Sequence, residues 1–321
     1  MKTIGLLFPM LVLSAASCSE NTNRIGKPGL CCLESGGTQA PKETAKPSWK
    51  VRLEIFDGTS DSTLYVDYAS IEKSGDLFCG LATARVDEAV IRITDHWNSG
   101  EDISLERRVE VQGSSGKAVM SAIEFEFQGH TRGNTEYFAP GMVYGSTDNL
   151  SSNAIGGIDV YEKVDGRMWL REDRLPAPLL AFRFEDGSSF SILNPKPNGQ
   201  TLLADAHDVS GQTIIDEDLR FGSLFAEQKG EILKAGFAYP GSEGEFTYAG
   251  NTYPGGQLHQ WRNRYHPIKD GLTQSYTVAF GQSHHPDFQT FYSSEWERAF
   301  TKLAPKVNHQ DIELARKTML S

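Results

Sequence analysis

Two carboxylates and two guanidiniums stand side by side at Arg171-Glu172-Asp173-Arg174, just before a Pro-x-Pro sequence. In an extended chain, Arg171 and Asp173 share one face, and Glu172 and Arg174 share the other. Glu172 or Asp173 is a candidate for one of the two carboxylates that hydrolyse a glycosidic bond. The alternative is an ion-pair network that fixes a loop, in which each exposed pair contributes little stability. The sequence alone favours this structural alternative.

A second candidate group combines aromatic and cationic side chains: Trp261, Arg262, Arg264 and Tyr265. Flat aromatic faces suit the C–H side of a sugar ring, and the guanidinium fork matches a carboxylate. In a strand, Trp261 and Tyr265 share a face. The group therefore indicates a carbohydrate site that suits acidic sugars, or an edge strand with solvated arginines and one core tryptophan.

Other segments carry weaker signals. Residues 137–145 are rich in aromatic residues, glycine and proline, and lead into a Ser/Asn-rich loop. His284 and His285 are adjacent, so in a strand they point to opposite faces and do not bind one metal ion together. The sequence contains no GxSxG, Walker, HExxH or Rossmann motif. We expect no metal and no cofactor.

The first residues predict export. Residues 1–18 have one charge, an apolar stretch and small residues before Cys18, which is typical of a signal peptide. Cys18 resembles the acylated cysteine of bacterial lipoproteins, although Ala15 stands where leucine is usual. Residues 19–48 are polar, without apolar periodicity, and predict a flexible tether; the role of its Cys31-Cys32 pair is open. We expect a lipid-anchored protein of the bacterial cell envelope, in the outer membrane or periplasm, with plain secretion as the alternative.

The elements that must position the candidate groups are strands. From Trp49 onward, apolar and polar residues alternate, as in Val51, Leu53 and Ile55 against Arg52 and Glu54. This period of two places one face in a core and the other in water. The 31 glycines, 14 prolines and frequent Asp-Gly and Asn-Gly pairs add hairpin signals. The pattern predicts an all-β fold, a large antiparallel sandwich over residues 49–292.

Residues 293–321 change character and predict helices. Ser294 is a candidate cap for a short helix with Trp296, Phe300 and Leu303 on one face, ending before Pro305. Asn308 with Asp311 resembles a capping arrangement for a second, amphipathic helix. That helix packs back on the sandwich or belongs to a further domain, and the pattern does not separate these alternatives.

Composition excludes one class of partner. The chain has 31 Lys and Arg against 42 Asp and Glu, a formal net charge of -11. An acidic chain without a dense basic run repels phosphate backbones, so we expect no nucleic-acid partner.

Three passages resemble one known arrangement: residues 138–145, residues 169–178 and residues 294–300, where a strand passage turns helical. Their order resembles the N-terminal β-supersandwich (galactose-mutarotase-like) domain of bacterial glycoside hydrolases whose catalytic part is an (α/α)6 barrel. The resemblance implies that Arg171, Glu172, Asp173 and Arg174 contact substrate. It also implies that a barrel supplies the general acid and base, in this polypeptide or as a separate chain. No catalytic residue is carried over.

These observations leave three functions open. The first is the sandwich part of a cell-envelope glycan-degrading enzyme, catalytically incomplete alone. The second is a surface lipoprotein that binds poly- or oligosaccharides without cleaving them. The third is a sugar epimerase acting from the sandwich itself, which requires a histidine, His259 or His284, to converge with Glu172.

Overall fold

The computed structural model describes residues 48–100, 102–146, 167–197, 213–244 and 261–306. The expected signal peptide, Cys18, the tether and the second helix lie outside these ranges. So does His259, and the side chains of Trp261 and Arg262 are not described. No helix in the described part is long and apolar enough to cross a membrane.

Strands dominate the described residues, as the alternating pattern predicts. One sheet has the order β10-β14-β15-β7-β1-β2, with β17 joined to β7 and the short β13 and β16 joined to β17. Its strands are β1 (Lys50–Phe56), β2 (Asp61–Val66), β7 (Ala118–Gln128), β10 (Arg167–Arg171), β13 (Thr213–Ile215), β14 (Ser223–Lys229), β15 (Ile232–Tyr239), β16 (Glu243–Gly244) and β17 (Trp261–Pro267).

The second sheet has the order β3-β4-β5-β6-β18-β12-β11-β8-β9. Its strands are β3 (Tyr68–Ser74), β4 (Leu77–Val86), β5 (Ala89–Asn98), β6 (Asp102–Gln112), β8 (Thr135–Ala139), β9 (Val143–Ser146), β11 (Leu179–Phe184), β12 (Ser188–Leu193) and β18 (Thr273–His284). Among the described strands, only the β13–β17 pair is parallel. The expected all-β, antiparallel class is confirmed.

Aromatic side chains of the two sheets meet in a shared core. Trp49 packs edge-to-face on Trp97 at 5.1 Å between ring centroids, and Phe125 packs on Phe190 at 4.7 Å. Each pair joins one sheet to the other, so the sheets face each other as a sandwich. Burial of these rings contributes to stability, because large apolar surfaces are removed from water.

The alternating pattern predicts the burial of only one face of β1 correctly. Val51, Leu53 and Ile55 are buried as expected, but Arg52 and Glu54 are buried too, at 8% and 6% exposure. Arg52 binds Glu54 and Glu124 of β7 at 2.6 and 2.8 Å. The alternating pattern places Arg52 and Glu54 in water. In the structure they are buried and paired, because the second face of the sheet is also covered.

A buried ion pair connects the two sheets. Asp95 of β5 and Arg107 of β6 are cross-strand partners with no exposed surface. Two hydrogen bonds of 2.8 and 2.6 Å join the guanidinium to the carboxylate, and Tyr68 also donates to Asp95. Arg107 Nη1 then reaches the backbone oxygen of Ala122 on β7, in the opposite sheet, at 2.6 Å.

A neighbouring polar chain fixes the loop before β14. Ser121 Oγ donates to Gln274 Oε1 at 2.5 Å, and the Gln274 amide lies 3.1 Å from His266 Nδ1. His266 Nε2 lies 3.0 Å from the Leu219 backbone oxygen and donates to it when Nδ1 accepts. Burial lowers the pKa of His266 to about 4, which keeps the ring neutral.

The helix differs from its prediction. Helix α1 spans Phe288–Leu303 and is capped by Asp287, whose side chain accepts from the Thr290 amide at 2.7 Å, so Ser294 is not its cap. The helix ends before Pro305 as expected. The predicted apolar face is correct for Trp296 and Leu303, which pack on the core with the buried Phe291 and Ala299. It is wrong for Phe300, which is 54% exposed.

We predict that Asp95→Asn lowers the free energy of unfolding by about 3–5 kcal/mol, because it leaves the Arg107 charge buried without its partner. Urea unfolding followed by circular dichroism measures this difference. Arg108→Ala is the matched control, since the neighbouring arginine is 61% exposed in its pair with Glu110 and an exposed pair contributes about 0–1 kcal/mol. Equal stability of the Asp95→Asn variant and the wild type contradicts a supporting role for the core pair.

Candidate functional site

A depression lies where the edges of the two sheets meet. It is bounded by the β8–β9 turn of one sheet and by β10, the edge strand of the other. It is partly open to solvent, and its enclosed part has room for about one water molecule. It is lined by Met142, Trp169, Leu170, Arg171, Arg174, Leu175 and Glu243.

Arg171 ends β10 and is 2% exposed. Its Nε and Nη2 atoms bind the Asp173 carboxylate at 2.9 and 2.6 Å, and its guanidinium lies 3.8 Å from the centre of the Phe221 ring. Residues 172–174 form a 3₁₀ turn instead of continuing the strand. This turn brings Asp173 back toward Arg171, so the expected Arg171–Asp173 pairing is observed.

Glu243 gathers three arginines. Its Oε1 lies 3.1 Å from Arg171 Nη1 and 3.2 Å from Arg264 Nη2. Its Oε2 accepts from Arg174 Nη1 at 2.7 Å. Arg171 and Arg264 have at most 2% of their side chains exposed, whereas Arg174 has 38% exposed. Arg174 is therefore the cation of this cluster that solvent reaches most easily.

Glu243 and Phe221 were missed by the sequence reasoning. Neither residue belongs to a motif, and both are remote in sequence from the arginines they contact. One signal was present: Trp261 to Tyr265 contains two arginines and no acid. A buried guanidinium needs a carboxylate, so an acidic residue from elsewhere in the chain was required.

Glu172 faces a different environment from its neighbours. It is 3% exposed and accepts hydrogen bonds from the Gly222 amide at 2.6 Å and from Asn194 Nδ2 at 2.5 Å. Burial raises the pKa of this carboxyl to about 7. The expected pairing of Glu172 with Arg174 is not formed, because the 3₁₀ turn directs the two side chains to different partners.

Tyr265 does not reach the depression. It is 2% exposed, stacks on Phe56 at 5.6 Å between ring centroids and donates its hydroxyl to Asp61 at 2.7 Å. The Tyr265 part of the expected aromatic platform is thus inside the protein. Trp169 lines the depression but is also buried, at 6% exposure; its indole donates to Glu227 Oε1 at 2.8 Å and stacks on Phe225.

The two adjacent histidines have structural contacts. His284 Nε2 lies 3.0 Å from the Asp186 backbone oxygen, and His285 Nε2 lies 3.0 Å from Ser283 Oγ. Within the described ranges, no group of three His, Cys, Asp or Glu side chains is arranged to hold a metal ion.

The position of His284 argues against its pairing with Glu172. His284 is the cross-strand partner of Ser188, at the start of β12, while Glu172 binds Asn194, just after the end of that strand. A strand of this length separates them by about 20 Å. The structure therefore does not bring together His284 and Glu172, one of the two pairs considered for an epimerase.

Comparisons with known proteins add fold-level similarity only. No protein-family model and no curated protein matches the sequence. Among solved structures, Slr1438 from Synechocystis sp. PCC 6803 is 10% identical with a TM-score of 0.35, covering 69% of this chain and 67% of its own.

Two further structures show the same level of similarity. A candidate aldose 1-epimerase from Klebsiella pneumoniae is 10% identical with a TM-score of 0.37, covering 78% of this chain and 62% of its own. A candidate kojibiose phosphorylase from the human microbiome is 10% identical with a TM-score of 0.32, covering 84% of this chain but 26% of its own. Similarity this low does not transfer an activity to this chain.

We predict that Glu172 adds a pH-dependent contribution to stability. Its folded pKa is raised to about 7 from an unfolded value of about 4.3. The folded state therefore binds the proton more tightly, and this contribution is lost as the pH rises through that window. Thermal unfolding of the wild type and Glu172→Gln between pH 4.5 and 7.5 measures the difference.

The expected result is that the stability of the wild type, relative to Glu172→Gln, falls with rising pH. Parallel pH profiles of the two proteins contradict the assignment. Glu88→Gln is a control, because this carboxylate is exposed between β4 and β5, away from Glu172 and its two hydrogen bonds.

Proposed function

We propose that the sandwich is the carbohydrate-contacting part of a glycan-degrading enzyme and that it recognises acidic glycans. One observation carries the proposal: three arginines from separate parts of the chain meet around Glu243 beside an open depression that Trp169 also lines. Because the protein has a formal net charge of -11, its solubility does not depend on three arginines at one place.

The arrangement suits an anionic ligand group. Three guanidiniums from separate parts of the chain converge on the carboxylates of Asp173 and Glu243. Arg171 and Arg264 are buried and hold Glu243 in place, so Arg174 is the guanidinium of the three that a ligand reaches most easily. Guanidiniums form strong, directional hydrogen bonds with carboxylates and sulfates.

The same contacts favour binding without cleavage at this cluster. Asp173 is engaged by Arg171, and Glu172 is engaged by the Gly222 amide and Asn194. A glycosidase needs one carboxyl group free to donate a proton and another facing the sugar. We therefore assign the chemistry to an (α/α)6 barrel, as the family resemblance implies, in the same polypeptide or in a separate chain.

The alternative function is a surface glycan-binding lipoprotein without any catalytic partner. The engaged carboxylates favour it as much as they favour a divided enzyme. Both functions use the same binding site, and they differ in whether a barrel acts on the bound glycan. Glycan hydrolysis by the purified chain alone would contradict both assignments.

We predict that Arg174→Ala weakens binding to acidic polysaccharide about tenfold, the loss expected for one charge-assisted hydrogen bond. Affinity electrophoresis in gels containing polygalacturonate, alginate, chondroitin sulfate or neutral xylan measures retardation. Retardation by acidic gels should fall as salt is raised, because exposed charges are screened.

Arg108→Ala is the matched control, since it removes an exposed arginine on β6, outside the depression. It should migrate like the wild type in every gel after correction for charge. Equal retardation of the wild type and Arg174→Ala contradicts the site. Absence of retardation of the wild type by every glycan contradicts the proposed function itself.

We also propose that acylated Cys18 anchors the protein to the envelope, on the strength of the signal-like residues before it. The wild type expressed in a bacterium should incorporate an alkyne-labelled fatty acid and sediment with membranes. Cys18→Ala should lose the label, whereas Cys31→Ala, in the same predicted tether, should keep it. An unlabelled wild type in the culture medium would indicate plain secretion instead.

A further inference from the structure

Tyr144 is an exposed aromatic ring held in a fixed position. It lies in β9 and is 53% exposed. Its ring packs on Phe138, its cross-strand partner, at 5.4 Å between centroids. Its hydroxyl accepts a hydrogen bond from the Gly141 amide at 3.1 Å. These contacts hold one side of the ring and leave the other side to solvent.

The support beneath Tyr144 is rigid. Phe138 has no exposed surface and contacts Tyr292 and Trp296 of α1, each at 6.0 Å between ring centroids. Helix α1 is fixed to β6 by Arg298, which binds Asp102 at 2.8 Å. A ring with such a support binds a flat ligand with little loss of side-chain entropy.

Tyr144 lies beside the arginine-lined depression. Met142, two residues earlier, lines the depression, and two residues along a strand span about 7 Å. Gly141 lies in the turn between β8 and β9, with a φ of +76°. This turn packs closely on Pro176, since a Cβ at position 141 would come within 3.1 Å of it. Pro176 directly follows Leu175, which lines the depression. Gly141, which donates to the Tyr144 hydroxyl, therefore packs beside Pro176, two residues from Arg174.

We propose that Tyr144 is the stacking platform of a second sugar subsite, so that the preferred ligand is an acidic oligosaccharide of at least two rings. One ring places its anionic group at Arg174 while its neighbour stacks on Tyr144. A sugar ring has an apolar C–H face and polar edges, which matches an exposed aromatic ring next to charged groups. This inference rests on the proposed function and adds the length of the ligand.

The test compares short and long ligands on three proteins. Isothermal titration calorimetry measures the affinity of the wild type, Tyr144→Ala and Tyr144→Phe for tetrasaccharides of galacturonic, glucuronic and mannuronic acid and for the three monosaccharides. The wild type should bind one tetrasaccharide at least tenfold more tightly than its monosaccharide. Tyr144→Ala should lose most of that difference, and Tyr144→Phe, which keeps the ring, should retain it.

The outcomes separate this inference from the proposed function. Tight tetrasaccharide binding that is unchanged in Tyr144→Ala overturns the subsite and leaves the arginine site standing. A wild type that binds none of the six ligands overturns the subsite, and if it is also not retarded by any acidic glycan gel, the proposed function falls with it. Leu77→Ala is the control, because Leu77 is 61% exposed on β4, in a different part of the sheet. Unfolding curves of all variants show whether a loss of binding is a loss of folding.

Discussion

A charge can be buried in a protein only if an opposite charge and hydrogen bonds are buried with it, because an unpaired buried ion costs several kcal/mol. This constraint organises the molecule at two levels. Between the sheets, Asp95 holds Arg107, which in turn reaches the Ala122 backbone of the opposite sheet. At the sheet edges, Glu243 holds Arg171 and Arg264. Each group joins chain segments that are remote in sequence.

The same constraint connects the core to the candidate site. His266 accepts from the core amide of Gln274 and contacts the Leu219 backbone, which fixes the loop that carries Phe221 and Gly222. Phe221 lies under the guanidinium of Arg171, and the Gly222 amide binds Glu172. The proposed binding surface is thus an extension of the buried polar network, with Arg174 as its most exposed cation.

The sequence was most informative where a pattern is local. The period of two predicts strands because each strand exposes its own alternation, and Pro305 correctly marks the helix end. The sequence patterns failed where a residue remote in the chain determines whether a side chain is buried and what it contacts. Arg52 and Glu54 look like surface residues until β7 supplies Glu124, and Glu243 has no motif that links it to Arg171. The helix start was misplaced because Ser294 and Asp287 are both residue types that cap helices, and only the contact with the Thr290 amide distinguishes them.

The most direct test is a nuclear magnetic resonance titration of the protein with ¹³C-labelled methionine methyl groups. Met142 lines the depression and is partly exposed, while Met120 and Met168 are buried behind it. On addition of an acidic oligosaccharide that the protein retains, we expect the Met142 signal to shift in a saturable way and by more than the signals of the two buried methionines. Saturable binding that leaves Met142 unmoved would show that the glycan binds elsewhere.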